Sequence, residues 1–596
     1  MIKKIDSKKR KGLIIGWSIF ALINVFIILV SMLVKSAQPN DPKVLPWTPK
    51  AAGDAFLFMF NKVYMDNFFK QPALLLGSLT FVGYLTIGRG FRESVIGFLK
   101  TVIGFILLQI GSGTLVSLAK PVFEGVKNIG QGAGIVPLDP YFALASSNTF
   151  FEKAFLGNNY VSLISFAFIL GFAVNIVMVA LKRWTNTNSL MITGHVMIQQ
   201  SAVVTTILYI ILFQDMRIFT GALSAGEQAG IIIMSGIFLG IYWAVGSAST
   251  VKGTNAVTQN AGFAVGHQQM LAIATTYKLG RFFGKKEDSA ENKKLPSYLK
   301  IFEDNIFTQT IIILLLFLVL FIVLLSVNPF SVIAPDHIKF TSNYAIWNNS
   351  FGGANFGLNI LGGALKIVAS LVAIITGVRM FITELQQSFH GISEKIIPGA
   401  VVAVDVAAVY GFSINSVTFG FISGVIGQFI AVAIIGGLSA IPNQKFFNIA
   451  IPLFITLFFN SGSLGVYANA SGGWRAALLL PGIFGFLEIV IISIATRAID
   501  NSYQFIITNH SQFADGIDKS AFVSPVANGY IGMADWNLFF GLLMWISSYN
   551  FILAWILVIL AIIGLLALGQ IVDNGSQTKK TFLQKILKLQ PKLVNS

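Results

Sequence analysis

The sequence predicts an all-α integral membrane protein of about 12 transmembrane helices, supplemented by re-entrant hairpins. Three observations lead there. Hydrophobic residues make up 55% of the chain and charged residues only 11%, against about a quarter charged in ordinary soluble domains. Apolar runs recur along all 596 residues, well beyond the ~250–300 residues at which one soluble core stops growing. Many of these runs approach the ~20 residues that carry a helix across ~30 Å of hydrocarbon. A β-barrel is excluded because barrel strands alternate apolar and polar residues, and these runs do not.

Taken in order, the chain opens on a basic segment, Met1 to Gly12, followed by an apolar run from Leu13 to about Val34. That run exceeds the ~7–15 residues of a signal-peptide core, so a retained membrane helix is expected. A polar linker with Pro39, Pro42, Pro46 and Pro49 completes an N-terminal unit, 1–54. Asp54 to Lys70 reads as an amphipathic interfacial helix.

A first membrane half, 55–277, holds apolar runs at about 72–88, 94–118, 160–182, 190–213 and 228–247. The stretch 120–158 is too polar to span. Residues 251–277 are half polar and interrupted by Gly253, Gly262 and Gly266. Such a segment fits a re-entrant hairpin, because irregular backbone is tolerated at membrane depth where protein or water covers it.

A net-basic loop follows at 278–305. The second half, 306–572, carries runs at about 306–328, 360–382, 396–412, 415–440, 446–459, 475–497 and 537–571. A basic tail, 573–596, ends the chain. Both ends are basic, so both termini are expected in the cytoplasm of a multi-pass cell-membrane protein. The net charge of +16 is spread between apolar runs, which fits cytoplasmic loops and gives no reason to expect a nucleic-acid partner. The two halves suggest a duplication, with Arg92–Gly113 (holding Gln109) matched to His390–Gly411 (holding Asp405).

Chemistry is sought in polar groups inside apolar runs, where they are costly. Asp405 lies in Ile396–Tyr410, read as a helix; a carboxylate there costs about 2.5–3.5 kcal/mol on insertion scales. It either locks two helices as a paired or protonated acid, or binds substrate or a proton. The second reading is taken.

His195 and Gln199 are four residues apart and share a helix face. They serve a polyhydroxylated ligand or hydrogen bonds between helices. His267, Gln268 and Gln269, beside Gly262 and Gly266, suit a hairpin tip. Asn460 to Ser463 with Asn469 is a weaker, second hairpin candidate. Glu384, Gln386, Gln387, His390 and Glu394 read as a helix end near the interface. The histidines lack metal-ligand spacing and there is no phosphate-binding loop, so no metal or cofactor is expected. The absence of cysteine excludes any cysteine nucleophile within the chain.

In order, the segments Gln71–Gly77, Leu107–Gly113, Thr193–Gln200, Gly266–Gln269, Gly284–Glu287, Gly377–Phe381, Ile397–Ala400 with Asp405, Gly472–Ala477 and Gly532–Trp536 resemble the membrane-embedded IIC component of the ascorbate-specific phosphotransferase system. The resemblance implies a homodimer in which each protomer has a substrate-holding core domain and a V-shaped dimerisation domain, working by alternating access. It implies L-ascorbate as substrate, with IIB and IIA components as partners. The phosphocysteine belongs to IIB, so this chain is the translocating subunit and IIB a separate protein, expected to dock near the basic loop 278–300.

The family's ascorbate contacts fall on Pro140 and Tyr141; on His195, Val196, Met197, Ile198 and Gln199; on His267 with Gln268; and on Asp405. Three departures stand out. Pro140 occupies a position where relatives can place a hydroxyl residue. The N-terminal segment and helix are additional, and Asn343 to Leu358 looks inserted. A different reading of the same polar groups is an ion-coupled secondary transporter of a small polar acid or sugar, with Asp405 carrying the ion.

Overall fold

A computed structural model describes residues 7–36, 71–129, 134–153, 158–213, 222–293, 356–396, 400–439, 446–453, 455–509, 529–536, 551–575 and 577–591, with isolated positions between them. Apart from isolated positions, the expected interfacial helix Asp54–Lys70, the run 306–328 and most of the Asn343–Leu358 insertion lie outside the described residues.

The helices are α1 (Ser7–Ser36), α2 (Pro72–Thr86), α3 (Phe91–Ile129), α4 (Pro140–Lys153), α5 (Ser162–Ala180), α6 (Gly194–Leu212), α7 (Ala225–Thr258), α8 (Met270–Gly280), α9 (Phe356–Ile396), α10 (Ile414–Ser439), α11 (Ser461–Asn509), α12 (Phe551–Ile571) and α13 (Phe582–Ile586). Among the described residues, eight helices are long and apolar enough to cross a membrane. α1 forms as expected and packs on α2, where the Phe20 and Phe81 ring centroids lie 5.5 Å apart.

Among the described residues, five short strands interrupt the helices: β1 (Ile135–Leu138), β2 (Ser189–Met191), β3 (Ala264–Gly266), β4 (Val401–Asp405) and β5 (Ile449–Pro452). They make two parallel sheets, β1–β5 and β2–β4–β3. Strands this short survive beside hydrocarbon only if their edges find donors and acceptors. Helix hydroxyls supply them. Ser247 Oγ on α7 donates to the Ser189 carbonyl at 3.2 Å. Thr250 Oγ1 donates to the Val265 carbonyl and accepts from the Val265 N–H, both at 3.0 Å. In the other sheet, Thr456 Oγ1 donates to the Leu138 carbonyl at 2.8 Å.

The strands correct three expectations. Val401–Asp405 is not helical: Asp405 ends a strand, the middle one of its sheet, and only Ala407–Tyr410 beyond it forms a short helical turn. The run 446–459 is a strand followed by a wide helical turn, Ile455–Asn460. Asn460 to Asn469 is not a hairpin, since α11 starts at Ser461 and is broken at Gly473, which has φ of 70°. Residues 251–277 do contain the expected interruption, as the end of α7, β3 and the start of α8.

One pattern of elements recurs along the chain. A long helix followed by a strand occurs twice, as α3–β1 and α9–β4. β4 takes both of its partners, β2 and β3, from the first half. β1 takes its partner β5, and a further pairing of Leu138 with Tyr530, from the second half. The two long helices cross where Gly104 faces Gly377. A methyl group on Gly104 would sit 2.7 Å from the Gly377 carbonyl oxygen, and one on Gly377 would sit 2.5 Å from that of Gly104. Small residues permit this close approach.

Glu384 on α9 is buried; it accepts from Tyr84 Oη at 2.6 Å and from Lys100 Nζ at 2.9 Å. The helix end near the interface therefore includes a buried tie between α2, α3 and α9.

Candidate functional site

The candidate site is built where strands end. In the parallel sheet β2–β4–β3, the pairing of Met191 with Ala403 and of Gly266 with Asp405 puts three carboxyl-terminal strand ends side by side. β2 runs into His195, β4 delivers Asp405, and β3 runs into His267 and Gln268. Beyond β2, the Ile192 N–H and Thr193 Oγ1 both donate to the Ala403 carbonyl at 3.2 Å. This anchors the entry to α6. Gly266 is required by the same crowding, because a Cβ there would meet Thr193 Oγ1 at 2.4 Å.

His195 Nε2 lies 2.7 Å from Asp405 Oδ2, with side chains 23% and 39% exposed. The pair is half-open and stands at the first turn of α6, whose N-cap, Thr193, makes no side-chain capping bond. The first amides of a helix are donors without intrahelical acceptors, and they carry a partial positive charge suited to an anionic group.

One turn further along α6, Gln199 Oε1 accepts from Gln268 Nε2 at 2.6 Å. Gln199 also hydrogen-bonds the Tyr141 side chain, which lies in the electrostatic range of Asp405 and of Arg379 on α9. His267 shares the field of both Asp405 and His195. Tyr141, His195, Gln199, His267, Gln268 and Asp405 thus form one cluster. His267 Nδ1 and Gln268 Oε1 are buried and have no hydrogen-bond partner among the described residues. A buried acceptor left open costs about 1–3 kcal/mol, so these two atoms are suited to a polar ligand's hydroxyl groups.

Pro140 and Tyr141 enter from β1. Asp139 Oδ1 accepts the Tyr141 N–H at 2.8 Å, and Pro140 sits at the first helical position of α4, where its missing N–H costs nothing. Val196, Met197 and Ile198 are buried within α6 and pack the helix that presents His195 and Gln199. Gln269 turns away from the cluster: its Nε2 donates to the Asn460 carbonyl at 2.9 Å and to Ser463 Oγ at 3.1 Å.

The structure adds residues that the sequence reading passed over. Asp535 Oδ2 accepts from Tyr242 Oη at 2.6 Å and from the Leu271 N–H at 2.8 Å; its Oδ1 accepts the Ala272 N–H at 2.9 Å. Asp535 therefore caps α8 directly behind the His267–Gln268 turn. Tyr242 Oη also lies 3.1 Å from the Gln268 carbonyl. Gln200 holds the same turn, donating to the His267 carbonyl at 3.3 Å and accepting from Trp243 Nε1 at 2.6 Å. The segment Gly532–Trp536 had been noted as a motif but given no task. Arg379 stands in the motif Gly377–Phe381, with no site role assigned to it from the sequence.

A cluster of imidazoles, amides, a phenol and one carboxylate at the ends of strands, within a bundle of apolar helices, is equipped to hold a small polyhydroxylated solute. The family model described as EIIC-GAT, PTS system sugar-specific permease component, matches residues 67–533. The protein named "Ascorbate-specific PTS system EIIC component" of Mycoplasma pneumoniae is 57% identical over 660 aligned positions, covering 100% of this chain and 99% of that protein. The chain is a multi-pass membrane protein that belongs to the EIIC-GAT family of sugar-specific permease components of the phosphotransferase system.

Proposed function

We propose that this protein binds L-ascorbate in the cluster around His195 and Asp405 and carries it across the membrane for phosphorylation by a separate IIB protein, itself recharged by IIA. The observation that supports this most directly is the convergence of Tyr141, His195, Gln199, His267, Gln268 and Asp405 from four separate segments, in a chain 57% identical to an ascorbate-specific EIIC component over its full length.

The chemistry suits the ligand. Ascorbate is a singly charged polyol near neutral pH. The uncapped start of α6 and the Arg379 guanidinium favour its anionic edge. Gln268 Oε1 and His267 Nδ1 serve its hydroxyls, and the Asp405 carboxylate accepts from a hydroxyl beside His195. In this reading Tyr141, His195, Gln199, His267, Gln268 and Asp405 are direct contacts. Val196, Met197 and Ile198 form the packed wall behind them, and Pro140 sets the start of α4 without contributing a side-chain hydrogen bond.

The sheet-bearing elements serve as the substrate-holding core, and the chain acts as a homodimer by alternating access with both termini in the cytoplasm. The absence of cysteine assigns the phosphoryl-carrying cysteine to the separate IIB.

Vesicles containing the protein, loaded with or without phosphorylated IIB and supplied with labelled ascorbate outside, test the proposal. Ascorbate phosphate accumulating only with phospho-IIB supports it. Unmodified ascorbate accumulating in response to an ion gradient would overturn it in favour of secondary transport.

A further inference from the structure

We propose that the C-terminal segment after the last described span, together with the turn that follows α5, is a binding surface for anionic phospholipid headgroups. The segment is built onto the end of α12. Gln584 Nε2 donates to the Val572 carbonyl at 3.1 Å and to the Ile571 carbonyl at 3.4 Å, closing the helix's open end. Thr581 Oγ1 donates to the Gln570 carbonyl at 2.6 Å and caps α13 in turn. Asn574 Nδ2 donates to the Asn186 carbonyl at 2.7 Å, while Asn186 Nδ2 donates to the Val572 carbonyl at 2.8 Å. Gln570 also donates to the Trp184 carbonyl. The tail and the turn 182–187 are thus one folded unit, tied to α7 by the Lys252–Asp573 ion pair at 2.7 Å.

This unit turns its large apolar side chains outward. Trp184 is 76% exposed and Phe582 73% exposed, with Ile586 and Leu587 exposed beside them. Because Gln584 bonds the last carbonyls of α12, these side chains stand within one helical turn of where the span ends. α12 itself also exposes Ile559, Ile563 and Leu566. An aromatic and aliphatic set at that depth is the composition of a membrane–water interface.

Lys182, Arg183, Lys579, Lys585 and Lys588 flank the apolar residues in sequence, and residues 577–591 contain no Asp or Glu. A polybasic segment next to a span attracts anionic lipid. An acidic protein partner would use the cations but gives no role to apolar side chains placed at the end of a span, so the lipid surface is the occupant inferred.

The chain lacks cysteine, so Phe582→Cys of the full-length protein can carry a single environment-sensitive fluorophore. In nanodiscs, replacing phosphatidylcholine by phosphatidylglycerol is expected to shift its emission to the blue. The shift is expected to fall by at least half with Lys579→Gln, Lys585→Gln and Lys588→Gln combined, or in high salt. All three lysines are exposed, so the combined variant keeps the α12 cap.

In parallel, phosphatidylglycerol titrated into detergent-solubilised, unlabelled wild type is expected to raise the Tm more than phosphatidylcholine does. Equal emission and equal Tm gains in the two lipids would overturn the proposal. So would a fluorophore that responds only when a soluble acidic protein is added, which would assign the surface to a protein partner.

Discussion

His195 Nε2 and Asp405 Oδ2 lie 2.7 Å apart, although the residues are 210 positions apart and arrive on different elements, the first turn of α6 and the end of β4. The parallel pairing that places Asp405 beside Gly266 fixes this contact. Hydrogen bonds involving a charged group contribute about 1.5–3 kcal/mol, and tenfold in affinity corresponds to about 1.4 kcal/mol. Ascorbate affinity is therefore expected to fall roughly tenfold or more with either His195→Ala or Asp405→Ala. The double variant is expected to lose much less than the product of the two, because the residues act as a unit. Equilibrium binding across the four proteins measures this coupling. Strict additivity would show that the pair does not meet the ligand together.

The amide relay from Tyr141 through Gln199 to Gln268 makes a second prediction. Gln199→Leu removes the acceptor held by Gln268 Nε2 at 2.6 Å and leaves a buried donor open. The expected loss in ascorbate affinity is about tenfold, with a smaller loss for Tyr141→Phe, which removes one hydroxyl. Equal effects from the two substitutions would show that the relay does not pass through Gln199.

Asp535 is expected to act on the site from behind it. Asp535→Ala strips the partner from the Leu271 and Ala272 amides and leaves Tyr242 Oη only the Gln268 carbonyl. Each donor left buried costs about 1–3 kcal/mol. A lowered Tm and weakened ascorbate binding should appear together. Tyr242→Phe, which removes a donor and leaves the two amides capped, should weaken both less. Wild-type binding in Asp535→Ala would separate the cap from the site.

Gly266→Ala drives a methyl group against Thr193 Oγ1, at the junction of β3 with the approach to His195. Loss of ascorbate binding is expected from this single carbon. Thr193→Ser, Gly266→Ala is not expected to rescue it, since the serine retains the oxygen; Thr193→Ala, Gly266→Ala is expected to restore part. Binding by the three proteins is the check.

The charged loop offers a pH test outside the membrane. The Asp288 carboxylate accepts from Lys293 Nζ at 2.9 Å and from Trp474 Nε1 at 2.7 Å, and these bonds hold its pKa below the ordinary 3.8. A depressed folded-state pKa stabilises the docked loop above the ordinary value, and that contribution disappears as the pH falls through the folded one. The hydrogen-exchange protection factors of residues 285–293, corrected for the intrinsic exchange rate at each pH, are expected to be unchanged from neutral pH down to about 4 and to fall below it. Asp288→Asn should remove the step.

Much of this was legible in the sequence. Long apolar runs announced α3, α5, α7, α10 and α12 because length alone separates a span from a core helix. The i, i+4 spacing of His195 and Gln199 read correctly as one helical face. Asp405 drew attention as a carboxylate in an apolar run, yet its element was misread. Val401 to Asp405 is too short and too apolar for periodicity to separate strand from helix, and only its partners in the other half make it a strand. Tyr141 carried no local signal, being an aromatic in a Gly- and Pro-containing stretch. Asp535 was hidden for another reason: its three partners lie more than 260 positions away, so nothing near it in sequence reveals its role.

The absence of native cysteine permits the most direct test of the central claim, that one site around α6 is opened in turn to each side of the membrane. Val196→Cys places a thiol among the buried residues next to His195. A membrane-impermeant thiol reagent would be applied to sealed, oriented vesicles from outside and, separately, from the lumen, with and without ascorbate. The account predicts labelling from both sides and protection by ascorbate against both. Labelling from one side alone, or labelling that ascorbate leaves unchanged, would contradict it.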